Sequence, residues 1–299
     1  MNRNRTLEGM AAAVIVLSII AALWGVWPGE GSRFTTVSAW GESVDMHGEG
    51  LYHRDSHSMA VQAIAQDWVT LVLGVPLMTL AIVLVRRGSY RGRLLLTGAM
   101  GYFLYTYASY SFLMTYNRLF LIYVALFALA LFGFVFSFLE LDVPRMDRRV
   151  RPLFPRRSLA VFFLFIAVML FVMWMGRIIP SLISEAPPFG LETYTTLVIQ
   201  ALDLGVIAPA AVYTSIALFR RRNSGYALSV VIVLKGLMMF SAVTAMAILM
   251  AVDGIEIHPT ELIVFPAATL VNFVFGFLVL KNVGSSSDGA VIADSNRPG

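Results

Sequence analysis

The chain contains no cysteine. A disulfide framework, a thiolate metal centre and a thiol nucleophile are therefore all excluded. Charge is scarce as well: Asp, Glu, Lys and Arg make up 13% of the residues, where a soluble domain carries about 25%. Lysine is nearly missing, with Lys235 and Lys281 standing against 20 arginines. There is no Walker-type phosphate loop, so an ATP site of that kind is excluded too. What fills the 299 residues is apolar: 58% are hydrophobic, and the mean hydropathy is +0.77. A water-soluble enzyme, a disordered chain and a small secreted module all conflict with these values.

A helix needs roughly 20 apolar residues to cross the hydrocarbon core of a bilayer. Eight stretches have that length or approach it: Gly9 to Pro28, Ala60 to Val85, Leu94 to Met114, Leu119 to Leu139, Ser158 to Ile179, Tyr194 to Phe219, Tyr226 to Val252 and Leu262 to Leu280. All are too long for barrel strands, and none alternates with period 2. Helices satisfy their own backbone groups in lipid. The expected fold is thus all-α, a polytopic integral membrane protein built as an eight-transmembrane-helix bundle.

With both termini inside, 17 Lys and Arg residues fall in inner segments and four in outer ones, with Lys235 inside the seventh stretch. Cytoplasmic loops attract positive charge. This predicts a multi-pass protein of the cell (inner) membrane with cytoplasmic N- and C-termini. The basic balance is then a topology signal and implies no nucleic-acid partner. Arginine-rich inner loops also offer binding partners to anionic lipid headgroups. The first stretch has a basic start, but no small-x-small site follows Trp27-Pro28-Gly29 closely, so it reads as an uncleaved helix.

Residues 1–283 form one transmembrane domain in this reading, and 284–299, rich in Gly, Ser and Asp, form a disordered cytoplasmic tail. The second stretch carries Gln66, Asp67, Pro76 and Arg86. The sixth carries Gln200, Asp203, Pro209 and Arg220. This echo suggests two parallel four-helix repeats, 1–139 and 158–283, although hydropathy alone produces similar echoes.

Charges in lipid cost free energy and usually face a partner or a wet cavity. Asp67 lies about 10 Å from the outer start of its stretch, and Asp203 and Lys235 each lie about 14 Å from an end, at 1.5 Å per residue. Asp203 and Lys235 approach one level and are expected to pair. With Asp67, Gln66 and Gln200 they are expected to line a midplane cavity acting as a substrate or ion relay. Pro76 and Pro209 free a carbonyl and kink their helices, as the broken helices of transporters do. The competing reading is that the charges only pin helices together.

All four histidines fall on the outer side. His53, Asp55 and His57 have an i, i+2, i+4 spacing that suits a divalent metal if helical, and His258 lies before the last stretch. Tyr102, Tyr105, Ser109 and Tyr116 share one helical stripe, with Tyr107 and Tyr110 beside it. They serve as cross-helix hydrogen-bonding groups or line a cavity for a lipid, quinone or polyisoprenoid. Lys235 invites comparison with retinal proteins, but no aspartate stands one turn before it.

The first expectation is therefore a small transporter or permease-like protein for a solute or ion. An alternative is a membrane-embedded enzyme or metal-binding factor with the outward His/Asp site. A third is a non-catalytic scaffold. Beyond the bilayer no partner is implied, and no resident cofactor is expected, apart from the outer metal of the second reading.

Overall fold

A computed structural model of the protein describes residues 3–284. Of the tail read as disordered, residues 285–299 lie outside these residues. Eight long helices dominate: α1 (Arg3–Val26), α2 (His57–Arg86), α3 (Tyr90–Phe112), α4 (Phe120–Leu139), α5 (Arg156–Ser184), α6 (Val198–Phe219), α7 (Asn223–Val252) and α8 (Glu261–Lys281). Seven of them are long and apolar enough to cross a membrane, where the hydropathy reading expects eight.

The exception is α3, and its place in the bundle explains its polarity. Of its 23 residues, 17 are buried. It packs against α2, α4 and α7. A helix shielded by protein needs no apolar surface, so it can carry Tyr90, Tyr102, Tyr105, Tyr107 and Tyr110. The opposite case is α8, which buries only Asn272, Gly276 and Val279. Glycine brings α3 and α7 into backbone contact. A Cβ on Gly98 would stand 2.7 Å from Leu234 Cβ and 3.1 Å from the Lys235 nitrogen.

The segment between α1 and α2 is not a plain loop: it adds a two-stranded hairpin to the helical bundle. Strands β1 (Phe34–Val37) and β2 (Ser43–Met46) pair antiparallel, with Phe34 opposite Met46 and Val37 opposite Ser43. Val44 and Met46 face inward while Ser43 and Asp45 face out. The hairpin closes where Gly31 and Gly48 cross: a Cβ on Gly48, whose φ is +75°, would meet the Ser32 carbonyl oxygen at 1.9 Å. Glycine alone tolerates both that φ and that approach. The segment ends at Ser56, whose hydroxyl accepts from the Met59 N–H and caps α2.

Helices α2 and α6 break their winding in the same way. In α2 the Val75 N–H reaches back five residues to the Thr70 carbonyl; in α6 the Ala208 N–H does the same to Asp203. Each wide turn, Thr70–Gly74 and Asp203–Ile207, ends just before a proline. Pro76 and Pro209 have no N–H to continue the four-residue ladder, and the turn before each widens by one residue. The two turns and prolines are 133 residues apart in the chain.

The hairpins that follow match at the same offset. The Gly88 N–H bonds the Val85 carbonyl at 2.9 Å and the Ser89 N–H bonds Leu84 at 2.9 Å; Arg221 bonds Leu218 at 3.0 Å and Arg222 bonds Ala217 at 2.8 Å. Gly88 and Arg221 both have positive φ, +73° and +53°. Gly92 and Gly225 then lie against the backbone at Leu84 and Ala217.

The halves differ elsewhere. On one side α1 packs on both α2 and α4; on the other α5 packs on α6 and meets α8 through Phe162 and Phe275, with a crevice beside that contact. At the arginine-rich end, the segment before α5 is tied to the exit of α8, because Arg151 N–H donates to the Asn282 carbonyl and Gly284 N–H to Arg149.

Candidate functional site

The central helix α3 presents its tyrosines to two separate carboxylates. Tyr105 and Tyr110 are five residues apart, so their side chains leave the axis about 140° apart at 100° per residue. Tyr105 donates its hydroxyl to Asp203 Oδ1 at 2.7 Å. Tyr110 donates to Asp67 Oδ1 at 3.1 Å and lies 3.0 Å from the Ala63 carbonyl. Asp67 and Asp203 thus stand on different sides of α3, and the structure does not gather them with Lys235 around one cavity.

Asp67 is buried in a nest of phenols. Tyr52, from the segment between α1 and α2, donates to its Oδ2 at 2.5 Å. Tyr52 packs edge-on against Tyr110, which meets Tyr107 and Tyr123 in turn. Gly25 of α1 closes the nest: a Cβ there would fall 1.8 Å from Asp67 Oδ2. No Lys or Arg pairs with Asp67 among the described residues. Asp67 lies ten residues into α2, which is deeper than expected, because the helix begins at His57. Gln66 turns to α3, donating to Tyr102 at 2.6 Å and to Thr106 at 3.2 Å, while Thr70 shares a 2.9 Å bond with Tyr102.

Asp203 opens the wide turn of α6 and is buried. Its second oxygen accepts from Trp174 Nε1 of α5 at 2.9 Å. It lies only five residues from the start of α6, since residues 194–197 are not helical. Gln200 is buried three residues before it. The expected direct ion pair with Lys235 is not formed. Instead Lys235 Nζ sits 4.4 Å from the centre of the Tyr105 ring. Tyr105 stands between the charges, bonding the carboxylate with its hydroxyl and the ammonium with its π face.

Comparison with protein-family models, with curated proteins and with solved structures finds no match. The chemistry must be read from the chain itself.

The histidines separate. His57 pairs with His47 and not with His53, because residues 53–55 form a turn and not a helix. Nδ1 of His47 and Nδ1 of His57 are 3.3 Å apart. The ring planes differ by 9° and the centroids are 5.6 Å apart, so the rings meet edge to edge along the N···N line. His57 Nε2 lies 2.7 Å from Asp253 Oδ2, and Arg33 holds the same carboxylate at 3.0 and 3.1 Å. The burial of His47, with His57 beside it, lowers its pKa. His53 bonds the Gly50 carbonyl, and His258 bonds Thr260.

Asp55 turns inward, away from the histidines. It accepts from the Thr115 N–H at 2.8 Å and the Tyr194 hydroxyl at 3.0 Å. Burial pushes its carboxyl up to about 6. Among the described residues no group of three His, Asp or Glu side chains is set to hold a metal ion.

Sequence reasoning did not single out Tyr52, Trp174, His47 or Asp253. Trp174 is half-buried, and the need of an indole N–H for a partner inside an apolar helix was the one available signal for it. Asp253 acts across a long stretch of chain, and Tyr52 and His47 lie in the irregular segment before α2, where helical periodicity gives no guide.

Proposed function

We propose that the chain threads the cell membrane eight times, with both ends cytoplasmic, and works as a small transporter or permease for an ion or polar solute. The site would be Asp203 with Tyr105, Trp174 and Lys235, and Asp67 would form a second station across α3. One observation carries this reading: the winding of α6 breaks on the buried Asp203 itself, and Pro209 closes the break. A widened turn offers carbonyls that the regular ladder does not use, and such turns cluster at functional sites. Broken helices beside buried charge are also how transporters build binding sites near the midplane.

The matched break in α2 supports a duplication. At the 133-residue offset, Thr70 takes the place of Asp203 and Tyr102 that of Lys235. The two residues are hydrogen-bonded in the first half. In this reading the first half keeps a neutral, closed version of the site, and the second half carries the charged, working one.

The test is flux through purified protein in liposomes. Vesicles with a pH-sensitive dye and defined K+ or Na+ gradients would report proton or cation movement. Asp203→Asn and Lys235→Met should each lower the flux at least tenfold, while Thr70→Val should change it little. Wild-type vesicles no leakier than empty ones under every gradient would defeat the proposal.

A further inference from the structure

We infer that the arginine-rich end holds an anionic phospholipid, its phosphate among arginines and one acyl chain between α5 and α8. Two hollows share a wall there. The first, of about 610 Å3, is lined by Arg151, Arg156, Arg157, Ser158 and Arg221, with Asp147 as the one acidic residue of its lining. The second, of about 550 Å3, lies between α5 and α8 and is lined by Val161, Phe162, Phe165, Val271 and Phe275. Arg157 and Ser158 belong to both.

Three of the four arginines are available. Arg156 is committed, donating to the carbonyls of Leu218 and Phe219 at 2.7 and 3.2 Å. Arg151, Arg157 and Arg221 are exposed, and none pairs with a carboxylate among the described residues. Guanidinium groups match phosphate oxygens in geometry and charge. The first turn of the 29-residue α5 opens at the same hollow and adds N–H groups of the same sign.

The second hollow fixes the rest of the ligand. Phe162 and Phe275 close its floor, with ring centres 5.0 Å apart. Val161 and Phe165 are each 59% exposed. The α1–α4 side has no such gap, because those helices pack together. A soluble phosphate would use the basic hollow alone. Only a molecule with an anionic head and an apolar tail uses both, and basic pockets between membrane helices bind such headgroups. Neither lining includes Asp67, Asp203 or Lys235, so this site is independent of the proposed transport path.

The experiment compares thermal midpoints of the full chain in detergent with added phosphatidylglycerol, phosphatidylcholine, inorganic phosphate or glycerol phosphate. Phosphatidylglycerol alone should stabilise the wild type. Arg157→Gln with Arg221→Gln should weaken that effect about thirtyfold, the order expected for two arginines at an anionic surface. Val161→Trp with Val271→Trp should abolish it by filling the crevice. Arg87→Gln with Arg148→Gln removes equal charge outside the hollow and should leave it intact. The midpoint without lipid reports folding of each variant, and Arg157→Gln alone, at an exposed side chain, serves if a pair misfolds. Equal stabilisation by inorganic phosphate would overturn the proposal in favour of a soluble anion. An equal loss in the Arg87/Arg148 control, or none in the tryptophan pair, would overturn it as well.

Discussion

Gly25 shows how little room surrounds the first carboxylate. An added methyl would overlap Asp67 Oδ2 and approach the Tyr52 hydroxyl within 2.7 Å. All three groups are packed, so relief requires breaking a buried hydrogen bond. Gly25→Ala should cost about 2 kcal/mol or more and lower the melting midpoint in detergent. Asp55 makes a pH-dependent contribution. Its carboxyl titrates near 6 in the fold against 3.8 when exposed. The folded state therefore holds its proton more tightly, and stability falls as pH rises from about 4 to about 6, by up to about 3 kcal/mol. Asp55→Asn should remove this slope, which the difference between wild-type and variant melting curves over pH 4 to 7 measures. His47 acts in the opposite sense. Its pKa is lowered from 6.5, so the stability it supports is lost as pH falls below that value. His47→Gln should flatten the acid side of the curve.

At the scale of elements, glycines in similar helices carry different burdens. Gly92 and Gly225 follow matching turns, and a Cβ on either would meet backbone or Cβ atoms of the preceding helix at 2.6 Å. Gly92→Ala and Gly225→Ala should destabilise by similar amounts, about 2 kcal/mol each. Gly205 sits in the wide turn of α6 with open space around it. Gly205→Ala should be neutral or slightly stabilising, because alanine removes backbone freedom from the unfolded chain. Deleting Gly205 is another matter. It would restore four-residue winding and turn the start of α6 by about 100°, carrying Asp203 away from Trp174. The Trp174 emission, obtained by difference from a Trp174→Phe protein, should shift on deletion but not on the alanine change. The prolines that end these turns were legible in the sequence. The wide turns were not, because bond register depends on what the helix packs against.

For the whole molecule, the absence of cysteine is an experimental advantage. Single cysteines at Trp40, Tyr116, Phe189 and Glu256 should react with an impermeant maleimide in intact cells. Those at Gly88, Arg148 and Arg221 should react only after permeabilisation. Any other grouping would contradict eight spans and the passage of α3 in particular. Among the eight long helices α3 alone is not apolar enough to count as a candidate span, and it meets other helices over most of its surface. The hairpin segment between α1 and α2 was legible only as a long polar segment. Its strands hold because Gly31 and Gly48 permit a crossing, and because Tyr52 and His57 are drawn to partners in other elements.

Composition and periodicity by themselves determined that this chain is helical, that it is apolar enough to span a membrane, where its helices lie and which buried charges need an account. Those properties follow from transfer free energy, which is local to each segment. Only the tertiary structure decided which side of α3 each carboxylate occupies, that a tyrosine ring separates Asp203 from Lys235, and that α5 and α8 leave a crevice beside their Phe162–Phe275 contact. These depend on the rotation of each helix about its own axis. Rotation is set by contacts between residues far apart in the chain, which no single stretch encodes.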